Sequence, residues 1–213
     1  MRYSREHKEA SRERIVQAAA HLFRKHGYHA TGIDQVVEAA GLTPGGFYKH
    51  FSSKVGLLAA AMDRAASSAV RIRNTGIEHL RGERWLRSFV SSYLSLDHAR
   101  DVGEGCPVAA LAPELAKGSA EERRALEAAV ATTVAAISDQ LEDSTPDQRR
   151  AWAVLASCVG TLSLARSVRD RKLARRLLEE GRARAVVAGI DAGERRPNAR
   201  RSSPASSRPR HPK

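Results

Sequence analysis

Chemistry in this 213-residue chain concentrates first in one octapeptide, Thr43-Pro44-Gly45-Gly46-Phe47-Tyr48-Lys49-His50. Tyr48, Lys49 and His50 offer a phenol, an ammonium and an imidazole, groups that suit phosphate oxygens and base edges. Gly45 and Gly46 each cost a helix about 1 kcal/mol against Ala. A helix that begins with two of them can approach the floor of a DNA major groove closely. Thr31 and Thr43 stand where two short helices should begin, and a hydroxyl with free backbone N–H groups there suits a phosphate.

A second group surrounds residue 106. Gly105-Cys106-Pro107 sets a thiol at a helix start, a position at which helix N-termini activate thiols. Two readings stay open: a redox- or electrophile-sensing Cys106, and an inert thiol buried at a helix junction. Asp97, His98, Asp101 and Glu104 nearby are metal-capable, but their spacing fits no zinc or calcium template. No metal and no cofactor is expected. The sequence has no phosphate-cradling loop, nucleophile elbow, HExxH or paired-carboxylate motif, which argues against an enzyme.

Charge is placed unevenly. The chain carries a formal net charge of +12, which points to an acidic partner, nucleic acid first. Residues 1–54 hold nine Lys/Arg and five Asp/Glu, residues 55–190 twenty and seventeen, and residues 191–213 seven and two. The ends carry most of the excess. Residues 191–213, rich in Pro, Ser and Arg, read as a disordered basic tail. Two cysteines exclude a disulfide framework, and no signal-peptide pattern opens the chain, so a cytoplasmic protein is expected. The longest uncharged stretch, Ala151 to Ala165, is shorter than the ~20 residues of a membrane span.

The elements that must position these residues all read as helices, about nine in number. Ile15, Ala18, Ala19, Leu22 and Phe23 recur at helical spacing, and Gly27 stops them. Thr31-Gly32-Ile33-Asp34 resembles a capping box, and Gly41 ends that short helix. Thr43-Pro44 opens the next, through His50. Ser52 or Ser53 caps a long helix carrying Leu57, Leu58, Ala61 and Met62. Trp85, Leu86, Phe89, Val90 and Tyr93 form one stripe, and residues 106–116 a short apolar helix. Ser119 to Glu122 is a capping box for a helix reaching Leu141. Thr145 and Ser167 are expected to open the last two. Three domains follow: residues 1–54 as a helix-turn-helix DNA-binding domain, 55–190 as a helical regulatory and dimerisation domain, and 191–213 as the tail.

Residues 11–62 resemble the DNA-binding domain of the TetR/AcrR family of bacterial transcriptional regulators. The likeness rests on Ile15, Ala18-Ala19, Leu22-Phe23, Gly27-Tyr28, Thr31, Ile33, Ala40-Gly41, Tyr48, Phe51, Lys54 and Leu57-Leu58. It implies an all-α fold, an N-terminal three-helix reading head, and a helical half that binds a small-molecule effector and dimerises. It also implies DNA contacts by Thr31, Thr43, Gly45, Gly46, Tyr48, Lys49, His50 and Lys54. Pro44 and Gly46 depart from the family pattern, where residue 44 is often Lys or another polar residue and residue 46 often Ser or Thr, so the resemblance implies DNA binding but no particular operator sequence. Arg2, Arg5, Lys8 and Arg12 could run along the DNA backbone or minor groove.

For residues 55–190 the resemblance implies a homodimer in which the last two helices of each protomer make a four-helix bundle. Val154, Leu155, Cys158, Leu162, Leu173 and Leu177 are the candidates for that interface. Met62, Trp85, Phe89, Tyr93, Cys106, Leu111 and Trp152 are candidate pocket liners, and they favour an apolar or aromatic effector. The function expected is a ligand-responsive repressor on a pseudo-palindromic operator, cytoplasmic and nucleoid-associated when bound. A repressor sensing oxidants through Cys106 and a non-specific architectural DNA binder are the alternatives.

Overall fold

The computed structural model describes residues 5–142 and 148–191. The expected cap at Thr145, Arg2 of the N-terminal arm and positions 192–213 of the basic tail lie outside the described residues. Over the described residues the chain is helical without strands, in ten helices. They are α1 (Arg5–His26), α2 (Ile33–Ala39), α3 (Pro44–Phe47), α4 (Lys54–Asn74), α5 (Gly82–Tyr93), α6 (Leu96–Arg100), α7 (Pro107–Leu115), α8 (Ala120–Leu141), α9 (Arg149–Ser167) and α10 (Arg171–Asp191). The all-α reading holds. The added element is α6, a single turn whose cap is Ser95, its hydroxyl accepting the His98 N–H at 3.1 Å. Five residues are too few to show a 3.6-residue period.

Two other boundaries move. The expected Ser167 cap is instead the last residue of α9, its hydroxyl donating to Ser163 O at 2.8 Å. Asp170 starts α10 by accepting the Lys172 N–H at 2.8 Å. And α3 stops at Phe47, three residues before His50. A helix with two glycines among four residues has little propensity to propagate, and the chain closes into a turn.

The head is built on α1. Ile15, Val16, Ala19, Ala20 and Phe23 face inward, and Gly27 and Gly41, at φ +90° and +65°, end α1 and α2 as the spacing predicted. Their core is continuous with the first half of α4 (Leu57, Leu58, Ala61, Met62, Ala65, Ala66) and with Leu111, Leu115, Ala125 and Ala129. So α4 serves two bodies. A second core joins α5, α7, α8, α9 and α10 around Trp85, Phe89, Val134, Ile137, Val154 and Cys158.

Helix ends in this second body are closed by arginines. Arg182 donates to Leu94 O at 2.9 Å, and Arg150 to Gly189 O at 2.6 Å and Leu141 O at 3.3 Å. Pro113 inside α7 cannot bond the Ala109 carbonyl four residues back. The Ser163 hydroxyl of α9 donates to that carbonyl at 3.3 Å instead.

Burial corrects several expected surfaces. Val154, Leu155, Cys158 and Leu162 are packed inside the protomer and present nothing to a second copy. Between its terminal arginines, from Ala151 to Ala165, α9 carries no charge, and periodicity alone does not say which of its faces turns outward. The outward one carries Trp152, 48% exposed, and Leu164, 58% exposed, beside the exposed Leu173 and Val187 of α10. Leu177 is half-buried. Trp152 is therefore no pocket liner. The other six candidates are buried but divided: Met62 and Leu111 in the first core, Trp85, Phe89, Tyr93 and Cys106 in the second.

Candidate nucleic-acid interface

The octapeptide of the head lies at the surface. Pro44 occupies the first position of α3, after Thr43 in extended conformation at φ −94° and ψ 155°. Phe47 is fully buried and stacks on Phe51 with centroids 5.8 Å apart, so it roots the turn in the core. Rooting Phe47 inward sends its neighbour outward: Tyr48 is 68% exposed, the highest among the large hydrophobic side chains of the described residues, with its ring edge-on to Phe47. Thr43, Gly45 and Lys49 are exposed, and His50 is half-buried.

Gly45 has an informative environment. A Cβ added there would meet nothing within 4 Å, and its φ is not in the left-handed region. Neither protein packing nor backbone geometry requires the glycine. Gly46 would make only ordinary contacts, with Leu42 at 3.9 Å. Two residues that weaken a helix and answer no internal demand leave clearance for something outside the protein.

The imidazole of His50 has its Nδ1 buried without a hydrogen bond. Burial, then Lys8 and Arg12 from α1 and Lys49, hold its pKa below the usual histidine value. Arg12 also lies over the Phe51 ring at 4.9 Å. Arg12 and Lys8, one helical turn apart on α1, thus belong to the same basic edge as Lys49 and His50. Arg5, Lys8 and Arg12 are helical and not a loose arm.

Two expected contacts sit elsewhere. Thr31 is 1% exposed, and its hydroxyl donates to Gly27 O at 2.7 Å. It ties the turn after α1 and offers no phosphate contact. The α2 cap is Gly32, whose N–H is satisfied by the Gln35 side chain at 2.8 Å. Lys54 opens α4 with Nζ over the Tyr28 ring at 4.4 Å, facing Glu114 and Glu122.

That ring marks a joint between head and body which the sequence spacing did not disclose. Glu114 of α7 accepts the backbone N–H groups of Tyr28 at 3.0 Å and His29 at 2.7 Å. The His29 ring lies 3.0 Å from Glu114 and 3.3 Å from Glu122. Arg24, nearly buried in α1, donates to Gly103 O at 2.5 Å and faces Glu104 at 3.5 Å. Partners more than seventy residues apart carry no periodic signal.

Cys106 caps α7 with Pro107 at the first helical position, as read, and is 1% exposed. Burial protects a thiol from reagents in water. Alkylation of Cys106 in the native protein, followed by mass spectrometry with Cys106→Ser as control, is expected to run at least about a hundredfold slower than in the unfolded chain. Equal rates would revive the sensing thiol.

Comparison with known proteins agrees with this geometry. Residues 15–61 match the family of bacterial regulatory proteins called the tetR family. A helix-turn-helix transcriptional regulator of Mycobacterium tuberculosis, itself uncharacterised, is 33% identical over 172 residues, spanning 75% of this chain and 86% of the relative. The crystal structure of a TetR transcriptional regulator from Chloroflexus aurantiacus superposes with a TM-score of 0.64 at 25% identity, over 85% of this chain and 95% of that one. A TetR-family regulator from Cytophaga hutchinsonii gives 0.67 at 20% identity, over 86% and 96%. Among the described residues no helix is long and apolar enough to cross a membrane. With a buried aromatic root, an exposed glycine-led reading turn and a relative matched over most of its length, the chain belongs to the TetR family, as a helix-turn-helix DNA-binding transcriptional regulator and not an enzyme.

Proposed function

We propose that this regulator binds a pseudo-palindromic operator as a cytoplasmic homodimer, represses transcription there, and is released by a small apolar or aromatic effector. The observation that carries the DNA reading is the exposed turn from Thr43 to Lys49, with Tyr48 outermost and Gly45 free of any internal contact. Thr43, Gly45, Gly46 and Tyr48 face the major groove in this reading. Lys49 and His50 meet phosphates, and Lys54 joins them by swinging off the Tyr28 ring. Pairing of protomers is supported by the outward apolar face of α9 and α10, with Trp152, Leu164, Leu173 and Val187 exposed. A face of that composition is a characteristic interface surface. Two-fold symmetry then places half-sites about 34–36 Å apart, or a multiple of that spacing.

The test is selection of bound duplexes from a random library, followed by titration of two variants. Tyr48→Ala should weaken binding to the selected operator by about 1–3 kcal/mol, roughly ten- to a hundredfold, and hardly affect random DNA. Lys49→Ala should weaken both DNAs alike and lower the salt slope by about one. Equal losses on both DNAs for both variants would favour the architectural binder instead.

A further inference from the structure

Two half-buried arginines of the regulatory half have no acid within ion-pair distance. Arg73, near the end of α4, donates Nη1 to Ser92 O at 3.4 Å. Arg166 of α9 donates Nε to Ala99 O at 3.3 Å and Nη2 to His98 O at 2.9 Å, closing the end of α6. Gly105 makes room for it: a Cβ there would stand 2.6 Å from Nη2. The remaining Nη1 of Arg166 is buried with no hydrogen bond, and the buried Tyr93 hydroxyl has only the Cys106 thiol, a weak partner, beside it. Among the described residues neither guanidinium has a carboxylate within ion-pair distance.

The neighbours do not supply the missing charge. Asp101 acts on both arginines, but it is exposed and its Oδ1 accepts the Glu104 N–H at 3.1 Å. His98 stands edge-on to Tyr93 at 4.8 Å. Its Nδ1–H donates to Tyr93 O at 2.6 Å while Nε2 accepts the Cys106 N–H at 3.1 Å. With burial pushing its pKa down to about 4, it is a neutral, fixed member of the wall. Burial lowers the pKa of both arginines and raises that of Tyr93, and Tyr93 acts electrostatically on both arginines. Two half-buried cations and a weakly partnered phenol around one spot are costly unless an anion completes them.

We propose that Arg73, Tyr93 and Arg166 anchor the effector, and that the effector is an organic carboxylate. This rests on the reading that the helical half senses a small molecule, and it names that molecule's polar group. The acid is held by Nη1 of Arg166 and the Tyr93 hydroxyl, with Arg73 as second cation. The body of the ligand would have to part the packing of Phe89 and Trp85, which are buried and stack at 4.6 Å on the same face of α5 as Tyr93. Arg73 gives the site its consequence. It sits at one end of a 21-residue helix whose other end, from Lys54 to Ala66, is built into the core of the reading head. Drawing Arg73 toward an anion held by α9 moves α4 and, with it, the head. A ligand that prefers the shifted state lowers operator affinity by that preference.

The test uses the full chain and a panel of monocarboxylates, acetate to decanoate and benzoate to naphthoate, each beside its primary amide. At a hundredfold excess over Kd a bound acid should raise the melting temperature by roughly 5–10 °C, while its amide does not. Arg166→Gln and Arg73→Gln should each weaken that acid at least tenfold. Tyr93→Phe should weaken it too while leaving the free protein about as stable, since the buried hydroxyl it removes has only a thiol as partner. If no acid stabilises the protein more than its amide, or if Tyr93→Phe and both arginine variants bind the best acid as wild type does, the anchor is overturned. An uncharged compound that releases operator while no acid binds likewise overturns the anchor and leaves ligand-responsive regulation standing. An acid bound through Arg166 that leaves operator affinity unchanged sustains the anchor and removes its regulatory role.

Discussion

Gly181→Val is expected to destabilise the protein by at least about 2 kcal/mol, lowering its melting temperature by roughly 4–8 °C. Substituting glycine inside a helix ordinarily helps, and the intrinsic gain here is a few tenths of a kcal/mol. The surroundings reverse the sign. A Cβ at Gly181 of α10 would lie 2.2 Å from Thr161 Cγ2, 2.5 Å from its Oγ1 and 2.8 Å from its Cβ. Threonine is branched at Cβ and stiff, so it cannot swing aside as the end of a lysine could. Either α9 and α10 separate or the backbone bends, and both disturb the core around Val154, Cys158 and Leu178. Thermal unfolding of Gly181→Val, of Thr161→Ala and of the double variant measures the effect. Thr161→Ala should restore part of the loss, because it removes two of the three clashing atoms. A Gly181→Val protein as stable as wild type would mean that the two helices are not held at this separation.

Glu114→Ala should cost about 2 kcal/mol and loosen the reading head from the body. One carboxylate accepts two backbone N–H groups, of Tyr28 and His29, at the turn where Gly27 ends α1. Bonds to a charged acceptor contribute about 1.5–3 kcal/mol each when buried. Glu114 is partly solvated, so water replaces much of that on removal. The consequence extends beyond stability, because this turn joins the reading elements to α7. Amide hydrogen exchange at Tyr28 and His29 should accelerate by about tenfold or more, with the interior of α9 unaffected. Exchange unchanged at both residues would mean that the joint is held by the apolar contacts of Leu111 and Leu115 alone.

Much of the head was legible in the sequence because its determinants are local. Gly27 and Gly41 as helix stops and the Ser119–Glu122 capping box are decided within four or five residues and agree with the spacing, and of the two serines offered for α4 it is Ser53 that caps. Thr31 departs from its expected capping role for a related reason. Its neighbours have the grammar of a cap, but the hydroxyl is taken by the Gly27 carbonyl behind it. Gly32 with Gln35 does the capping.

By itself the sequence determined the class of fold and the glycine-led start of α3, since helical period and propensity are properties of short segments; the open space at Gly45 is a finding of the packed structure. Tertiary structure decided everything that depends on which face turns inward or on partners far apart. It put Val154, Leu155, Cys158 and Leu162 in the core and left Trp152 half in solvent, although no charge between Ala151 and Ala165 distinguishes the two faces. It brought Glu114 to Tyr28 across more than eighty residues. And it set Arg73 against the Ser92 carbonyl and Arg166 against those of His98 and Ala99, from helices whose own stripes give no hint of meeting. Burial and electrostatic pairing are relations between segments, and only the packed chain specifies them.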